Sequence, residues 1–392
     1  MVPRSVISDI RFGLEIIGIA LINALNNRDR KWPLSERKER YFFSIFPKMF
    51  ADNRVDKKYV DFVGTTDRYA VSIITDGMHQ HVSVLEYSRI RRELPKDKYA
   101  LIDEHITVAD SACFFYWLLI GVRFMVMTRH ATYKFMGIDV TAYIRQEKIL
   151  SCRRASRLII IGRALKRFFS NHQVAELIYY LHEYPLGRMI SYVLGTHFKD
   201  VRRIGFQHGP ASWRKLLYFL AKDEGSSHPP FENRAPLPDV VLAEDPQSMA
   251  IYRYSGYKDV EQMDLVYRLE YLNTIQPQRN LGYALIAPGL HDGKAMLDAL
   301  EPTIRREKET IFLLCPHPLG NKLYLKNRFN ADNIRVSGES VQRLLRKVGK
   351  VYVTYSSVGI EARKLGIEAC VVDIPGKVDE SPLRDKQVRT GF

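Results

Sequence analysis

Short apolar, β-branched runs alternate with longer stretches of helical periodicity along much of this chain. In the second half, strand-like runs fall at 283–287, 310–315, 334–336, 351–354 and 369–373, and helical patterns fall between them at 294–307, 341–347 and 358–365. A strand that is followed by a helix returns to its sheet as a parallel neighbour. The alternation therefore predicts an α/β fold built on parallel strands.

The first half of the chain carries the same alternation less regularly. Its strand-like runs fall at 69–75, 158–161, 177–181 and 201–206, and its helical patterns include 111–127 and 186–198. Residues 223–238 are rich in Pro, Gly and Ser and lack apolar periodicity, which predicts a linker. Because 392 residues suffice for two cores, we expect one domain at 1–225 and a second at 239–392.

The cysteines and the apolar segments indicate the cellular compartment of the protein. The four cysteines lie far apart without a CxxC pair, so we expect neither a disulfide framework nor a structural zinc site. We also expect no signal peptide, since charges interrupt the first apolar stretch, and hence a cytoplasmic protein. The most apolar segment, 111–127, is interrupted by Arg123 and falls short of about 18 uncharged residues. It predicts a buried helix rather than an interfacial anchor.

The formal net charge of +15 indicates an anionic partner, such as nucleotide phosphates, lipid head groups or a lipid-linked pyrophosphate. The basic residues are scattered, with modest clusters at 28–40, 89–98 and 163–167. No RGG tract, zinc finger or RNP-type motif accompanies them. We therefore expect a basic surface in peripheral contact with an anionic membrane, and no nucleic-acid partner.

Two motifs follow strands of the second half, at the place where open α/β sheets bind ligands. The first is Cys315-Pro316-His317-Pro318, after the run 310–315. A histidine between two prolines is conformationally restricted, because proline fixes its own φ and limits the residue before it. The imidazole can then donate a hydrogen bond to a phosphate oxygen. The alternative is a loop histidine that only terminates the strand.

The second motif contains Ser356 and Ser357, which follow the run 351–354 and open a helical pattern that includes Gly359. Hydroxyls and free backbone N–H groups at the start of a helix favour an anion. The alternative is an ordinary serine N-cap.

Together the two motifs resemble the HP and SS motifs of bacterial CMP-sugar-dependent transferases, namely the sialyltransferases and Kdo transferases of the GT-B fold. CDP-glycerol-type polymerases have a similar C-terminal half. The resemblance covers residues 283–375. It implies that His317, with Pro318, contacts the donor phosphate and assists the departure of CMP. It also implies that Ser356 and Ser357 bind the same phosphate and that Glu361 lies near the ribose or base.

A third feature lies in the first half. Glu183 follows the run 177–181, and His208 follows the run 201–206 within a Gln-His-Gly turn. A βαβ unit brings both to one sheet edge, where a carboxylate and an imidazole can act as an acid–base pair. The stretch 178–218 resembles surface-carbohydrate biosynthesis proteins in which an acidic residue and a helix precede a Gly-x-Gln-His-Gly-like turn. The alternative is a tight turn that orders the domain interface.

Asp76, which follows the run 69–75, is a further candidate for the base that deprotonates the acceptor hydroxyl. Because a glycine follows it, Asp76 also suits a simple turn.

The sequence lacks the motifs of several other enzyme classes. No GxxxxGK[ST] loop or GxGxxG follows a first strand, and no HExxH or GxSxG is found. No DxD-type triplet is found either, so we expect no metal and no cofactor.

These observations converge on one expectation. The chain forms two Rossmann-like domains that face across a cleft, as the GT-B resemblance implies. It acts as a metal-independent glycosyltransferase of cell-surface polysaccharide biosynthesis, with a CMP-linked donor and a glycan or lipid-linked glycan acceptor, at the inner face of the cytoplasmic membrane. A transferase of polyol phosphates from a CDP-linked donor remains open. So does a non-catalytic subunit that binds carbohydrate or polyprenyl phosphate.

Overall fold

Parallel strands form two separate sheets in the computed structural model, which describes residues 2–26, 38–45, 66–74, 83–135, 137–180, 182–220, 224, 235–278, 282–290, 292–317 and 332–385. The chain divides into two units. The first comprises Met1–Phe206 and Leu220–Leu242, and the second comprises Gln207–Phe219 and Ala243–Phe392. The expected linker at 223–238 lies largely outside the described residues.

The first unit supplies most of a seven-stranded sheet and a short separate hairpin. The strands of both are β1 (Glu39–Ser44), β2 (Arg68–Val71), β3 (Tyr99–Leu101), β4 (Lys134–Phe135), β5 (Ile138–Asp139), β6 (Val174–Tyr179), β7 (Arg202–Phe206), β8 (Val240–Ala243) and β9 (Asp259–Gln262). The helices of the first unit are α1 (Val2–Asn26), α2 (Val84–Glu93), α3 (Val108–Met127), α4 (Thr141–Asn171) and α5 (Pro185–His197), whereas α6 (Pro246–Tyr254) and the edge strand β9 belong to the second unit.

The second unit contains a five-stranded sheet. Its strands are β10 (Tyr283–Ala287), β11 (Ile311–Leu314), β12 (Ile334–Val336), β13 (Lys350–Val353) and β14 (Glu368–Val371). Besides α6 it contains α7 (Gly293–Arg306), α8 (Val341–Leu344) and α9 (Val358–Lys364), and 3-10 helices lie at Leu216–Tyr218, Tyr267–Thr274 and Pro382–Arg384.

The strand orders identify the architecture. The first sheet has the order β3-β2-β1-β6-β7-β8-β9, with β4 and β5 forming the separate hairpin, and the second has the order β12-β11-β10-β13-β14. In each sheet the chain winds outward from its first strand, returns to the other side of that strand and winds outward again. This is the 3-2-1-4-5 order of doubly wound folds. The expected α/β class with two Rossmann-like domains is confirmed.

Burial of the second sheet on both faces explains why its strands are continuous apolar runs. Leu285 and Val351 point to one face, where they pack with Val348 and Ala362. Ile286, on the neighbouring position of β10, points to the other face and packs among residues of α7 and β11. The second face is filled by Ala284, Met296, Leu297, Leu300, Ile304, Phe312, Leu314 and Tyr352.

Four arginines on α4 fasten this helix to its neighbours in the first unit. Arg153 and Arg157 bind the buried carboxylate of Asp9 on α1, with contacts of 2.6 and 2.9 Å. Arg163 and Arg167 bind Asp110 in the first turn of α3, whose side chain is 0% exposed. Part of the basic character of the sequence therefore neutralises buried acids.

One predicted strand is wrong. Residues 158–161 lie inside α4, because their apolar side chains belong to a longer series at helical spacing. The buried positions of this series are Arg157, Ile160, Ile161, Ala164, Leu165, Phe168 and Phe169. A run of four apolar residues fits a strand and one side of a buried helix equally well.

The prediction of a buried helix at 111–127 is half correct. The segment lies within α3, which is the one described helix long and apolar enough to cross a membrane by length and composition. However, only 17% of its most apolar window is buried. Tyr116, Leu119 and Met127 are 61%, 68% and 72% exposed. Hydropathy identified the helix but did not reveal that most of its apolar surface is uncovered.

We expect Asp110→Ala to lower the free energy of unfolding by about 2–4 kcal/mol, because Arg163 and Arg167 then lose the carboxylate to which they are bound. The midpoint of urea denaturation measures the change. Asp97→Ala is the matched control, since Asp97 is an exposed aspartate of the same unit, in the turn before β3; it should change the stability by less than about 1 kcal/mol. Equal effects of the two substitutions would contradict the role given to Asp110.

Candidate functional site

The point at which the winding of the second sheet reverses lies between β10 and β13. Open α/β sheets bind ligands at this point, beyond the carboxyl ends of the strands. Because β10 pairs with both β11 and β13, the strands that precede His317 and Ser356 are separated by two strand spacings, about 10 Å. The predicted phosphate-binding motifs therefore follow strands on either side of β10.

His317 lies just beyond β11 in a half-buried position. The last ladder bond at this strand end runs from the backbone N–H of Cys315 to the carbonyl of Ile286, at 3.0 Å. The chain therefore leaves the sheet two residues before the histidine. Pro318 lies outside the described residues.

Ser356 and Ser357 connect β13 to α9, and their hydroxyls have different environments. The Ser356 hydroxyl accepts a long 3.4 Å bond from the backbone N–H of Val358. The Ser357 hydroxyl makes no N-cap bond and instead donates to the carboxylate of Glu361 at 3.1 Å. Glu361 is buried and also accepts a hydrogen bond from the Tyr271 hydroxyl. Ser357 and Glu361 thus bind each other, whereas Ser356 is held only weakly.

The turn after β10 was missed by the sequence analysis, although the same rule about strand ends applies to it. A Cβ on Gly289 would lie 2.5 Å from the ring of Tyr355, which follows β13. Glycine is therefore needed for the two loops to approach each other at the switch point. Farther along this turn, the buried Asp292 precedes α7 and forms an ion pair with Lys377.

A cleft opens at this edge of the second sheet, next to β13 and β14. It is lined by Asp292, Thr354, Tyr355, Val372, Asp373, Ile374, Lys377, Val378, Asp379 and Glu380. Four of these residues are acidic and only one is basic. Carboxylates accept hydrogen bonds from hydroxyl and amino groups and repel phosphate. The cleft therefore suits the hydroxyl-bearing part of a ligand better than its phosphate.

Several contacts hold the acidic wall of this cleft in place. Arg384 lies 2.7 Å from Asp373 and 3.4 Å from Asp379, and Arg214 lies 3.2 Å from Asp379. The hydrogen bond from Arg384 lowers the pKa of Asp373, so that this carboxylate stays charged. The hydroxyl oxygen of Thr354 is buried with no hydrogen-bond partner among the described residues. A polar ligand in the cleft can satisfy it.

The corresponding switch point of the first sheet lies between β1 and β6. Glu183 follows β6, as predicted, but its side chain and that of His182 are both 0% exposed. His182 Nε2 lies 3.7 Å from the Glu183 carboxylate. Gly205 on β7 allows the imidazole to fit, since a Cβ there would lie 2.8 Å from the ring. The pair is part of the packed interior of the first unit.

Burial governs the protonation of this histidine. Loss of hydration lowers the pKa of His182, and Arg188 lowers it further, while Glu183 opposes the shift. The folded state consequently favours a neutral imidazole at His182.

His208 lies in the turn after β7, the parallel neighbour of β6, so Glu183 and His208 follow adjacent strands as expected. The turn is organised by Gln207 within the second unit. Its side-chain amide donates to the Gly209 carbonyl at 2.7 Å and to the Ser248 hydroxyl at 3.0 Å, and its oxygen accepts from the backbone of Glu244. Gln207 is therefore a structural residue, and the half-buried His208 is the functional candidate of this turn.

Asp76, the third candidate base, lies outside the described residues. Within the described ranges, no group of three or more His, Cys, Asp or Glu side chains could hold a metal ion. The four cysteines are free thiols.

No protein-family profile matches this sequence, and no curated protein is significantly similar to it. Solved structures with a similar fold include the calicheamicin glycosyltransferase CalG4, with 12% identity, a TM-score of 0.42 and coverage of 86% of this chain and 80% of that one. The UDP-GlcNAc 2-epimerase from Neisseria meningitidis, bound to UDP-GlcNAc, has 11% identity, a TM-score of 0.46 and coverage of 85% and 81%. Acinetobacter baumannii MurG has 10% identity, a TM-score of 0.43 and coverage of 88% and 82%. At such values the fold class rests on the strand orders of the chain itself.

We expect Gly289→Ala to displace the Tyr355 ring and to lower the free energy of unfolding by about 1–2 kcal/mol. In a Tyr355→Leu background the same substitution should cost measurably less, which a double-mutant cycle in urea quantifies. Gly338→Ala serves as the control, because a Cβ there meets nothing within 4 Å. Additive effects of Gly289→Ala and Tyr355→Leu would show that the two loops do not touch.

The lowered pKa of His182 predicts a pH dependence of stability. An unfolded histidine binds its proton near pH 6.5, whereas the folded imidazole resists protonation. The contribution of His182 is therefore complete above that pH and is lost as the pH falls below it. His182→Gln should flatten the slope of unfolding free energy against pH in the acidic range. His197→Gln, which removes an imidazole from an exposed position of α5, is the matched control, and an equal effect of the two substitutions would contradict the role given to burial of His182.

Proposed function

We propose that this protein is a glycosyltransferase that uses a nucleotide-activated sugar, with a CMP-linked sugar as the donor, in the synthesis of a cell-surface polysaccharide. The donor binds at the carboxyl edge of the second sheet, and the glycan or lipid-linked glycan acceptor binds to the first unit. The protein works on the cytoplasmic side of the membrane without a metal ion.

One observation carries this proposal. His317, Ser356 and the Gly289 turn follow three adjacent strands, β11, β13 and β10, at the switch point of a sheet with the 3-2-1-4-5 order. Nucleotides bind at this point in doubly wound folds. The HP and SS motifs supply a hydrogen-bond donor on each side of it. Together they support a site for a phosphate with an attached hydroxyl-rich group.

The charges of the site favour one orientation of the ligand. The phosphate lies near His317 and Ser356, which offer hydrogen-bond donors, because the cations next to the cleft are already bound to its carboxylates. The nucleoside hydroxyls lie toward Asp373 and Thr354, which offer hydrogen-bond acceptors. Ser357 contributes indirectly, because its hydroxyl is bonded to Glu361. Glu361 then acts as a positioning residue for the turn rather than as a ligand of the ribose.

The reaction is a displacement at the anomeric carbon. The acceptor oxygen forms the new bond to this carbon, and the bond from the carbon to the phosphate oxygen breaks, so the nucleotide leaves with the electron pair. His317 and Ser356 stabilise the charge that develops on the phosphate as it leaves. The acceptor proton passes to a base, for which Glu183, His208 and Asp76 are the candidates. His208 is the more exposed of the two that the structure describes.

We expect CMP to raise the midpoint of thermal unfolding more than CDP, UDP or GDP at equal concentration. A ligand at about 100 times its dissociation constant adds roughly 2.7 kcal/mol to stability, which shifts the midpoint of a domain of this size by several degrees. His317→Ala and Ser356→Ala should each reduce the shift, because each removes one donor to the phosphate. The exposed His197→Ala is the control and should retain it.

The other possible results of this experiment distinguish the alternative functions. A preference for CDP indicates the CDP-polyol transferase, and a preference for UDP or GDP overturns the CMP donor while retaining the site. A shift that is unaffected by His317→Ala and Ser356→Ala places the nucleotide elsewhere. No response to any nucleotide contradicts the transferase and favours the subunit that binds carbohydrate or polyprenyl phosphate.

A further inference from the structure

The outward face of α3 is apolar, unlike that of an ordinary surface helix. Leu119, Phe124, Val126 and Met127 are 68%, 46%, 56% and 72% exposed. Tyr116 extends this face toward the start of the helix, Trp117 and Phe124 lie on its flank nearer α4, and the whole stretch covers about 16 Å along the helix axis. A helix on the surface of a protein normally presents its polar side chains to water. An uncovered apolar face of this length indicates a partner.

The inner face of α3 is fixed to the rest of the first unit. Asp110 in its first turn is bound by Arg163 and Arg167 of α4. Farther along α3, Gly121 packs against Cys152 of α4. A Cβ on residue 121 would lie 3.1 Å from the Cys152 side chain. The helix therefore lies alongside α4. It cannot cross a membrane without breaking a buried ion pair and a close helix contact.

Beyond its first turn, the charged side chains along α3 and the turn after it are positive, and the nearest following carboxylate, Asp139, lies opposite Lys134 in the β4–β5 hairpin. Residues 111–138 contain no Asp or Glu, but they include Arg123, Arg129 and Lys134, all of which are exposed. Within the described part of the chain, none of these three cations belongs to an ion pair. Arg129 instead donates a hydrogen bond to His130. Exposed apolar side chains interspersed with unpaired cations match the interface of an anionic lipid leaflet.

The neighbouring helix α1 repeats the pattern. It contacts α3 through Phe12 and Phe114, whose ring centroids lie 5.3 Å apart. Its own exposed apolar residues recur at the spacing of one helical face. They are Ile10, Leu14, Leu21 and Leu25, which are 48%, 60%, 50% and 78% exposed. Uncovered apolar surface therefore extends beyond α3.

We propose that α3 lies in the plane of an anionic membrane surface and inserts Leu119, Val126 and Met127 among the lipids, with Tyr116 and Trp117 at its edge, while Arg123, Arg129 and Lys134 bind the head groups. Amphipathic aromatic rings are favoured at the depth of the head groups, where Tyr116 and Trp117 would lie. The proposal is independent of the donor site and of the reaction.

Charge also argues against a second copy of this chain as the occupant. A two-fold dimer brings the same patch of both copies together. Because residues 111–138 contain no carboxylate, Arg123 and Arg129 of the two copies would face one another without compensation, which disfavours association. A lipid leaflet supplies the missing negative charges.

The test is flotation of the full chain with vesicles of equal parts phosphatidylglycerol and phosphatidylcholine, compared with phosphatidylcholine alone. We expect binding to the anionic vesicles that weakens with salt, since the electrostatic part is screened. Leu119→Gln with Val126→Gln should lower the partition coefficient about tenfold or more, because two apolar groups are lost from the lipid. Arg123→Gln with Arg129→Gln should lower it by a similar factor.

Matched controls lie on β12 of the second unit. Val336 is 60% exposed, close to the exposure of Val126, so Val336→Gln changes the same chemistry at another place. Arg335 is exposed next to it, and Arg335→Gln serves as the control for the arginines. Both controls should bind the vesicles as the unmodified protein does. Insertion depth has its own readout: brominated acyl chains should quench tryptophan fluorescence, and Trp117→Phe should remove most of that quenching.

Three outcomes would overturn the proposal. The first is the absence of flotation with anionic vesicles. The second is flotation that the α3 variants and the β12 controls reduce equally. The third is a dimer in light scattering that Leu119→Gln with Val126→Gln dissociates in the absence of vesicle binding, which would identify a second copy as the cover of this face.

Discussion

Parallel strands end at one edge of a sheet, and this constraint decides where the chemistry of the protein can lie. Every register determined for the two large sheets is parallel. The loops that follow the carboxyl ends therefore lie along one edge of each sheet. Because the winding reverses between β10 and β13, the loops after these two strands lead away in opposite directions. Gly289 lets these two loops approach each other, because a side chain there would collide with Tyr355. The site depends on this backbone arrangement before any side chain acts.

Much of the second unit could be predicted because its sequence obeys local rules. The runs at 283–287 and 334–336 coincide with β10 and β12, and the positions of His317 and Ser356 follow from the strand ends. The bond between Glu361 and Tyr271 joins residues 90 positions apart, so no local pattern could indicate it. The same holds for the ion pair between Asp292 and Lys377. Motifs locate a site, but distant contacts decide which of its groups remain available.

The first unit was harder to predict for physical reasons. The run at 158–161 is short, apolar and β-branched, and only its place in a 31-residue helix distinguishes it from a strand. β1 was missed because its apolar residues follow a dense cluster of charges at 28–40. For α3, hydropathy predicted a helix, but whether an apolar face is covered depends on which elements pack on it. That information lies in the tertiary structure and not in the segment.

The distribution of charge connects the two proposals. A net charge of +15 would suit a basic nucleotide site, yet the cleft at β13 and β14 contains four carboxylates and one lysine. Four arginines of α4 are bound to two carboxylates, those of Asp9 and Asp110, so part of their positive charge is neutralised within the first unit. The cations without ion pairs around α3 lie instead beside exposed apolar side chains. Opposite charge attracts a partner most strongly where cations are not already neutralised. The positive charge of the chain is thus better suited to a large anionic surface than to the small ligand of the cleft, whose phosphate must rely on oriented hydrogen-bond donors such as His317 and Ser356.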